Sequence, residues 1–119
     1  MEDYQRGFAE ILADSGALFF SDGLLLKDGR PTPYFVNAGK FKSGKMNLEL
    51  GSCYADMLMR KNVVEGVDII YGPSYKGSAI AVGTANALWA NHKIDKEFEY
   101  DRKEAKTHGV NTKRKFTCE

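Results

Sequence analysis

The sequence predicts an α/β protein in which a small antiparallel hairpin precedes a parallel core. Three observations carry that prediction. Two segments repeat apolar residues at helical spacing. A Gly- and Pro-containing stretch of short apolar runs lies between them. A β-branched run is then followed by a third helical segment and a further strand.

Tyr4, Phe8, Ile11 and Leu12 set the first helix, from about Glu2 to Ser15, with Asp3 as its N-cap and Gly16 as its stop. Short runs from Ala17 to Phe20 and from Leu24 to Lys27 follow. Asp28-Gly29 is a hairpin-turn signal, and Pro33 to Asn37 reads as the returning strand. Runs this short suit a flap better than a core sheet. Met46, Leu50, Tyr54, Met57 and Leu58 restore helical spacing, with Ser43 or Asn47 as cap and Lys61-Asn62 as the end. Val67 to Tyr71 is apolar on both faces, as in a buried parallel strand, and Gly72-Pro73 breaks it. An alanine-rich helix from about Gly77 to Asn91 should pack closely, with Ile80, Thr84, Ala87 and Leu88 inward. Glu97 to Tyr100 completes a βαβ unit, for which a right-handed crossover is expected. Beyond Gly109 no periodicity is visible.

The 119 residues suffice for one domain. At 43% hydrophobic and 28% charged, the composition is that of an ordinary globular protein and not of a disordered chain. A net charge of +1 argues against nucleic-acid binding through bulk charge. No apolar run approaches the roughly 20 residues that span a bilayer, and the acidic start Met1-Glu2-Asp3-Tyr4 is no signal peptide. Neither a nucleic-acid nor a membrane partner is therefore expected. Cys53 and Cys118 form no C-x-x-C pair, so no metal ligands are assigned. Cys53 is expected to be a small buried hydrophobe. This usage suits a reducing, cytoplasmic location.

Three segments could carry chemistry. Tyr71-Gly72-Pro73-Ser74-Tyr75-Lys76-Gly77 leads from a strand into a helix, where open α/β sheets bind ligands and helix N–H groups favour anions. Gly72 and Gly77 would admit a phosphate to the backbone, and Lys76 adds charge. The same pattern also describes a plain tight turn with solvated side chains. Arg102, Lys103, Lys106 and His108 follow a strand closely enough to wrap a polyanion such as pyrophosphate. A solvated basic loop would look alike, and Glu104 dilutes the charge. Lys27, ahead of the aromatic run Tyr34-Phe35, could hold a flat anionic ring, or be a surface lysine on a hairpin.

In this order the three segments resemble one family. Leu26-Lys27, Gly29-Arg30, Pro33-Tyr34-Phe35 and Asn37-Ala38-Gly39 resemble the N-terminal hood of orotate phosphoribosyltransferases. Gly72-Pro73, Tyr75-Lys76 and Gly77 resemble their pyrophosphate-contacting loop. Arg102-Lys103-Glu104-Ala105-Lys106 and His108-Gly109 resemble their catalytic loop. The resemblance covers about Tyr4 to Gly109.

It implies a type I phosphoribosyltransferase-like α/β fold: an N-terminal helix and small antiparallel hood over residues 1–40, and an incomplete parallel α/β core over 41–109. Residues 110–119 form a divergent tail of this single, truncated domain. The implied reaction joins orotate to phosphoribosyl pyrophosphate, giving orotidine 5'-monophosphate and pyrophosphate in pyrimidine (UMP) synthesis, with Mg²⁺ carried by phosphoribosyl pyrophosphate. By matching position, Lys27 would touch both substrates. Phe35 would wall in the orotate ring, with Val36 standing where the family often has a second Phe. Tyr75, Lys76, Arg102, Lys103, Lys106 and His108 would meet pyrophosphate. The resemblance assigns catalysis to Lys106, Lys27 and His108, and Lys106 would stabilise transition-state charge. It also implies a cis peptide at Ser74–Tyr75 and a homodimer, with catalytic-loop residues reaching the neighbouring subunit's site.

The family's strand ending in paired acidic residues and its Thr-Ala-Gly-Thr-like loop, which grips the ribose 5-phosphate, do not occur in these residues. Little activity is therefore expected of this chain alone, and Val67 to Tyr71 should present an unpaired apolar edge that promotes association. The alternative is a non-catalytic phosphoribosyltransferase-fold binding or interaction fragment.

Overall fold

The computed structural model describes residues 1–102. These form α1 (Asp3–Asp14), β1 (Leu18–Leu25), β2 (Pro31–Val36), α2 (Gly44–Arg60), β3 (Ile69–Tyr71), α3 (Lys76–His92) and β4 (Glu97–Glu99), with single 3-10 turns at Ala38–Lys40 and Val64–Gly66. β1 and β2 pair antiparallel, and β3 and β4 pair parallel across the α3 crossover. The expected hood and βαβ unit are both present.

Local chemistry explains the element ends. Glu2, not Asp3, caps α1: its side chain accepts from the Gln5 N–H while Gln5 Oε1 accepts from the Glu2 N–H at 2.9 Å. Ser43 caps α2, its hydroxyl accepting from the Met46 N–H at 3.1 Å. The hairpin turn closes with Gly29 N–H donating to the Leu26 carbonyl and Leu26 N–H donating to the Arg30 carbonyl, both at 2.9 Å. Gly29 has φ +87°, which a side chain would resist.

Some sequence expectations need correction. The two runs around Gly23 are a single strand, β1, whose register shifts between Phe20 and Leu24; Leu26 and Lys27 belong to the turn. An irregular stretch in the pairing lets one strand absorb residues that read as a break. β3 is shorter than Val67 to Tyr71, because Val64–Gly66 coil into a 3-10 turn ahead of it. Its residues are half-buried to exposed, not fully covered. Cys53 is also only half-buried; burial, then the nearby Asp56 and Glu49 carboxylates, push its thiol pKa above the ordinary 9.0.

The core sits where α2 and α3 meet β3. Ala55, Val64, Ala87 and Leu88 are buried together, with Leu58, Met59, Ile70 and Ile94 packed around them. Thr84 is buried too, and Ile80 is half-buried, so the inward face of α3 matches expectation. The helices touch through small residues: a Cβ on Gly51 would stand 2.4 Å from the Gly83 carbonyl oxygen. Polar links run along the same seam. Asn47 Nδ2 donates to the Ala79 carbonyl at 3.2 Å, and His92 Nε2 lies 3.0 Å from Asp56 Oδ1. Among the described residues β3 pairs only with β4. Val67, Ile69, Ile70 and Tyr71 line one side of an open, mostly apolar groove of about 390 Å³. Among the described residues, no helix is long and apolar enough to cross a membrane.

Candidate functional site

The β3-to-α3 turn is held from both sides. Gly72 N–H donates to the Glu99 carbonyl at 3.1 Å, extending the β3–β4 ladder by a further residue. Ser74 N–H donates to Asp101 Oδ1 at 2.7 Å, and the Ser74 hydroxyl donates to the Asp101 backbone carbonyl. The Ser74 and Ser78 hydroxyls lie 3.5 Å apart. The Ser74–Tyr75 peptide is cis, as the resemblance implies.

The glycines here answer to crowding. A Cβ on Gly72 would lie 1.9 Å from the Gly77 carbonyl oxygen, and one on Gly77 would lie 2.8 Å from Pro73 Cδ. The turn therefore folds tightly back on the first turn of α3. Among the described residues no side-chain hydrogen bond caps the start of α3; Ser78 N–H donates to the Tyr75 carbonyl at 3.2 Å, and N–H groups at a helix start favour anions. Tyr75 and Lys76 are exposed at that end.

The end of the hood approaches this turn. Asn37 Oδ1 accepts from the Gly39 N–H at 3.0 Å, turning the chain after β2. The Lys76 ammonium lies 3.6 Å from where a side chain on Gly39 would begin. The end of the hood and the start of α3 are thus neighbours, although they are 37 positions apart (76 − 39) in the chain. Phe35 pairs across the hairpin with Phe19, ring centroids 5.7 Å apart, and both rings remain partly exposed. Val36, paired with Leu18, is 42% exposed, so this end of β2 presents apolar surface without being filled.

Not every expected residue converges. Lys27 is exposed in the hairpin turn, at the opposite end of the hairpin from Phe35 and Val36. The turn carries an Asp28–Arg30 ion pair at 2.6 Å, exposed and therefore of little energetic weight. Arg102 is exposed immediately after Asp101, which places its backbone beside the Ser74 turn. Lys103, Lys106 and His108 lie outside the described residues. Ser74 and Asp101 lie within segments the sequence singles out but carry no side-chain role there, although they join the turn to the strand that leads into Arg102. The available signal was an acidic residue two positions past a strand, at the C-terminal edge of a parallel pair. Among the described residues, no group of three or more His, Cys, Asp or Glu could hold a metal ion.

Comparison with known proteins gives a consistent result. No family model matches the chain. The orotate phosphoribosyltransferase of Colwellia psychrerythraea is 45% identical over 109 residues, covering 92% of this chain and 48% of that protein. The crystal structure of orotate phosphoribosyltransferase from Francisella tularensis superposes with a TM-score of 0.70 at 34% identity, covering 81% of this chain and 46% of that one. Leishmania donovani UMP synthase shares the fold at a TM-score of 0.62 and 23% identity, covering 82% of this chain and 20% of that one. The chain spans about half the length of the curated relatives it matches. In sequence and in fold, it is similar to the N-terminal portion of orotate phosphoribosyltransferases, which have the type I phosphoribosyltransferase fold.

Proposed function

We propose that this chain provides the orotate- and pyrophosphate-facing part of an orotate phosphoribosyltransferase. The observation that carries the reading is the approach of Lys76, at the uncapped start of α3, to the Gly39 turn at the end of the hood. An aromatic strand on the hood and a helix start, where N–H groups favour anions, would then serve one ligand, a flat ring joined to a phosphorylated sugar.

In the proposed reaction a ring N–H of orotate gives up its proton to solvent, and the nitrogen forms a bond to the anomeric carbon of phosphoribosyl pyrophosphate. The bond from that carbon to pyrophosphate breaks, and its electron pair leaves with pyrophosphate. Phe35 and Val36 would wall in the ring, whereas Lys27, at the opposite end of the hairpin, is given its place at the reacting centre by the resemblance alone. Tyr75, Lys76, Arg102, Lys103, Lys106 and His108 would take up the charge that builds on the leaving group, Lys106 foremost. Mg²⁺ would arrive on phosphoribosyl pyrophosphate. A cytoplasmic homodimer is part of the same reading.

The 119 residues alone are expected to turn over poorly, since no Thr-Ala-Gly-Thr-like loop lies within them to hold the ribose 5-phosphate. Incubation with orotate, phosphoribosyl pyrophosphate and Mg²⁺ should leave orotate absorbance nearly constant. Inorganic pyrophosphate should still bind, and Lys76→Ala should weaken it. Failure of the unaltered chain to bind pyrophosphate would sink the reading. Turnover that Lys106→Ala abolishes would instead refute the expected inactivity.

A second reading is an interaction fragment that acts with another chain. The open apolar groove along β3 favours it. A monodisperse, highly stable monomer in sedimentation and thermal melts would count against it.

A further inference from the structure

We infer that Asp101 is a positioning residue that locks the pyrophosphate-facing turn to the strand leading into Arg102. The inference rests on the proposed function for its consequence, but not for its geometry.

Asp101 holds a single residue, Ser74, at two points. Its carboxylate Oδ1 accepts from the Ser74 N–H at 2.7 Å, and its backbone carbonyl accepts from the Ser74 hydroxyl. One hydrogen bond would fix a distance and leave rotation free. Two from different groups fix orientation as well. Their sequence separation is 27 residues, so they tie the β3–α3 turn to the end of β4.

The placement matters because of what lies on either side. Tyr75 and Lys76 follow Ser74 directly, and Arg102 follows Asp101 directly. Gly72 N–H to the Glu99 carbonyl supplies the neighbouring ladder bond, so the two segments run together from Gly72 to Ser74. A carboxylate near a polyanion would ordinarily oppose binding. Here one of its oxygens is engaged by a backbone donor, so the group acts as a fixed acceptor beside the cations. An arrangement set before the ligand arrives lowers the ordering cost of binding.

The role needs an acceptor at Oδ1, not a negative charge, and that separates it from general electrostatics. Asp101→Asn keeps an acceptor oxygen; Asp101→Ala removes it. Ser74→Ala leaves the N–H bond and removes the hydroxyl contact. Amide hydrogen exchange in the full 119-residue chain reads the lock directly. Exchange at Ser74 should rise by about tenfold or more in Asp101→Ala, rise less in Ser74→Ala, and stay near the unaltered value in Asp101→Asn. Calorimetric titration with inorganic pyrophosphate and Mg²⁺ reads the consequence, with a Kd about tenfold weaker in Asp101→Ala and largely restored in Asp101→Asn. Thermal melts of all variants identify any that fail to fold, in which case Ser74→Ala and Asp101→Asn carry the test.

Unchanged Ser74 exchange in Asp101→Ala overturns the lock. So does Asp101→Asn behaving like Asp101→Ala, because charge and not the acceptor would then be responsible. If the unaltered chain binds no pyrophosphate, the proposed function fails instead, and the exchange rates still decide whether Asp101 holds the turn.

Discussion

The hood and the α2–α3 seam use glycine for opposite reasons. In the hairpin turn, a Cβ on Gly29 would meet nothing within 4 Å, yet its φ of +87° is one that L-residues resist. At the seam and the adjoining turn, Gly51 and Gly72 face backbone atoms that would stand 2.4 and 1.9 Å from an added Cβ, closer than any Cβ could sit. One region needs glycine for conformation and the other for space. The hairpin strands contain no buried residue, and Phe19, Phe35 and Val36 remain partly exposed. The seam buries Leu50, Ala55, Ala87 and Leu88 completely or nearly so. The hood is shaped to present surface, whereas the seam is shaped to fix the turn that begins α3.

That contrast breaks most visibly at Gly72. Its added methyl in Gly72→Ala would meet the Gly77 carbonyl, a backbone atom that cannot rotate away. The cost should exceed the about 3 kcal/mol at the upper end of ordinary overpacking, because the backbone itself must move. Chemical denaturation should show either a large loss of midpoint or no cooperative transition. A loss below about 1 kcal/mol would mean that the tight turn is not present in solution. Leu88→Ala tests the seam by removal. Leu88 is fully buried beside Ala55, Val64 and Ala87, so about 3 kcal/mol should be lost through transfer and cavity terms. The same measurement on Phe35→Ala should show a far smaller loss, since that ring is 43% exposed.

Gly29→Ala probes the hood's own requirement. With open space around it, only the left-handed backbone is penalised, at about 1 kcal/mol. The loss should appear as faster amide exchange at Leu26, whose N–H closes the turn on the Arg30 carbonyl, and leave α2 and α3 protection unchanged. Equal loss of protection across both regions would show that hood and seam unfold together, which would erase the distinction.

Legibility in the sequence followed the same division. Helical spacing located α1 and α2, and alanine richness located α3, to within a residue or two at most ends. Ser43 was readable as one of two candidate caps, with Asn47, because capping is local chemistry. The register shift in β1 was not readable, since it depends on the partner strand. The order of Lys27, Lys76 and Arg102 was visible, but the meeting of Lys76 with Gly39 and of Ser74 with Asp101 was not. Those contacts join residues far apart in the chain, and no local pattern encodes them. The tightness of the α2–α3 seam was half legible: alanine richness signalled close packing, but against which element was decided by Gly51 and Gly83 facing each other.

Cys53 gives the smallest effect and tests the outer margin of the seam side. It stands on α2 at a small apolar cavity of about 180 Å³ under α1, beside Phe8 and Tyr54, whose rings meet edge-on at 6.0 Å. Burial raises the thiol pKa, and Asp56 and Glu49 raise it further. The folded state therefore keeps its proton to higher pH than the unfolded state, whose thiol titrates near the ordinary 9.0. The associated stability is fully present below that value and is lost as pH rises through the folded-state pKa. The unaltered chain should lose slightly more thermal stability between pH 8 and about pH 10 than Cys53→Ala, in which this ionisation is absent. Lysine and tyrosine titrations are common to both proteins and cancel in the difference. The effect stays small because the thiol is only half-buried, and water screens the two carboxylates. A difference of opposite sign would mean that the thiolate is favoured in the fold, and that the α1–α2 contact is wetter or more positively charged than its lining residues indicate.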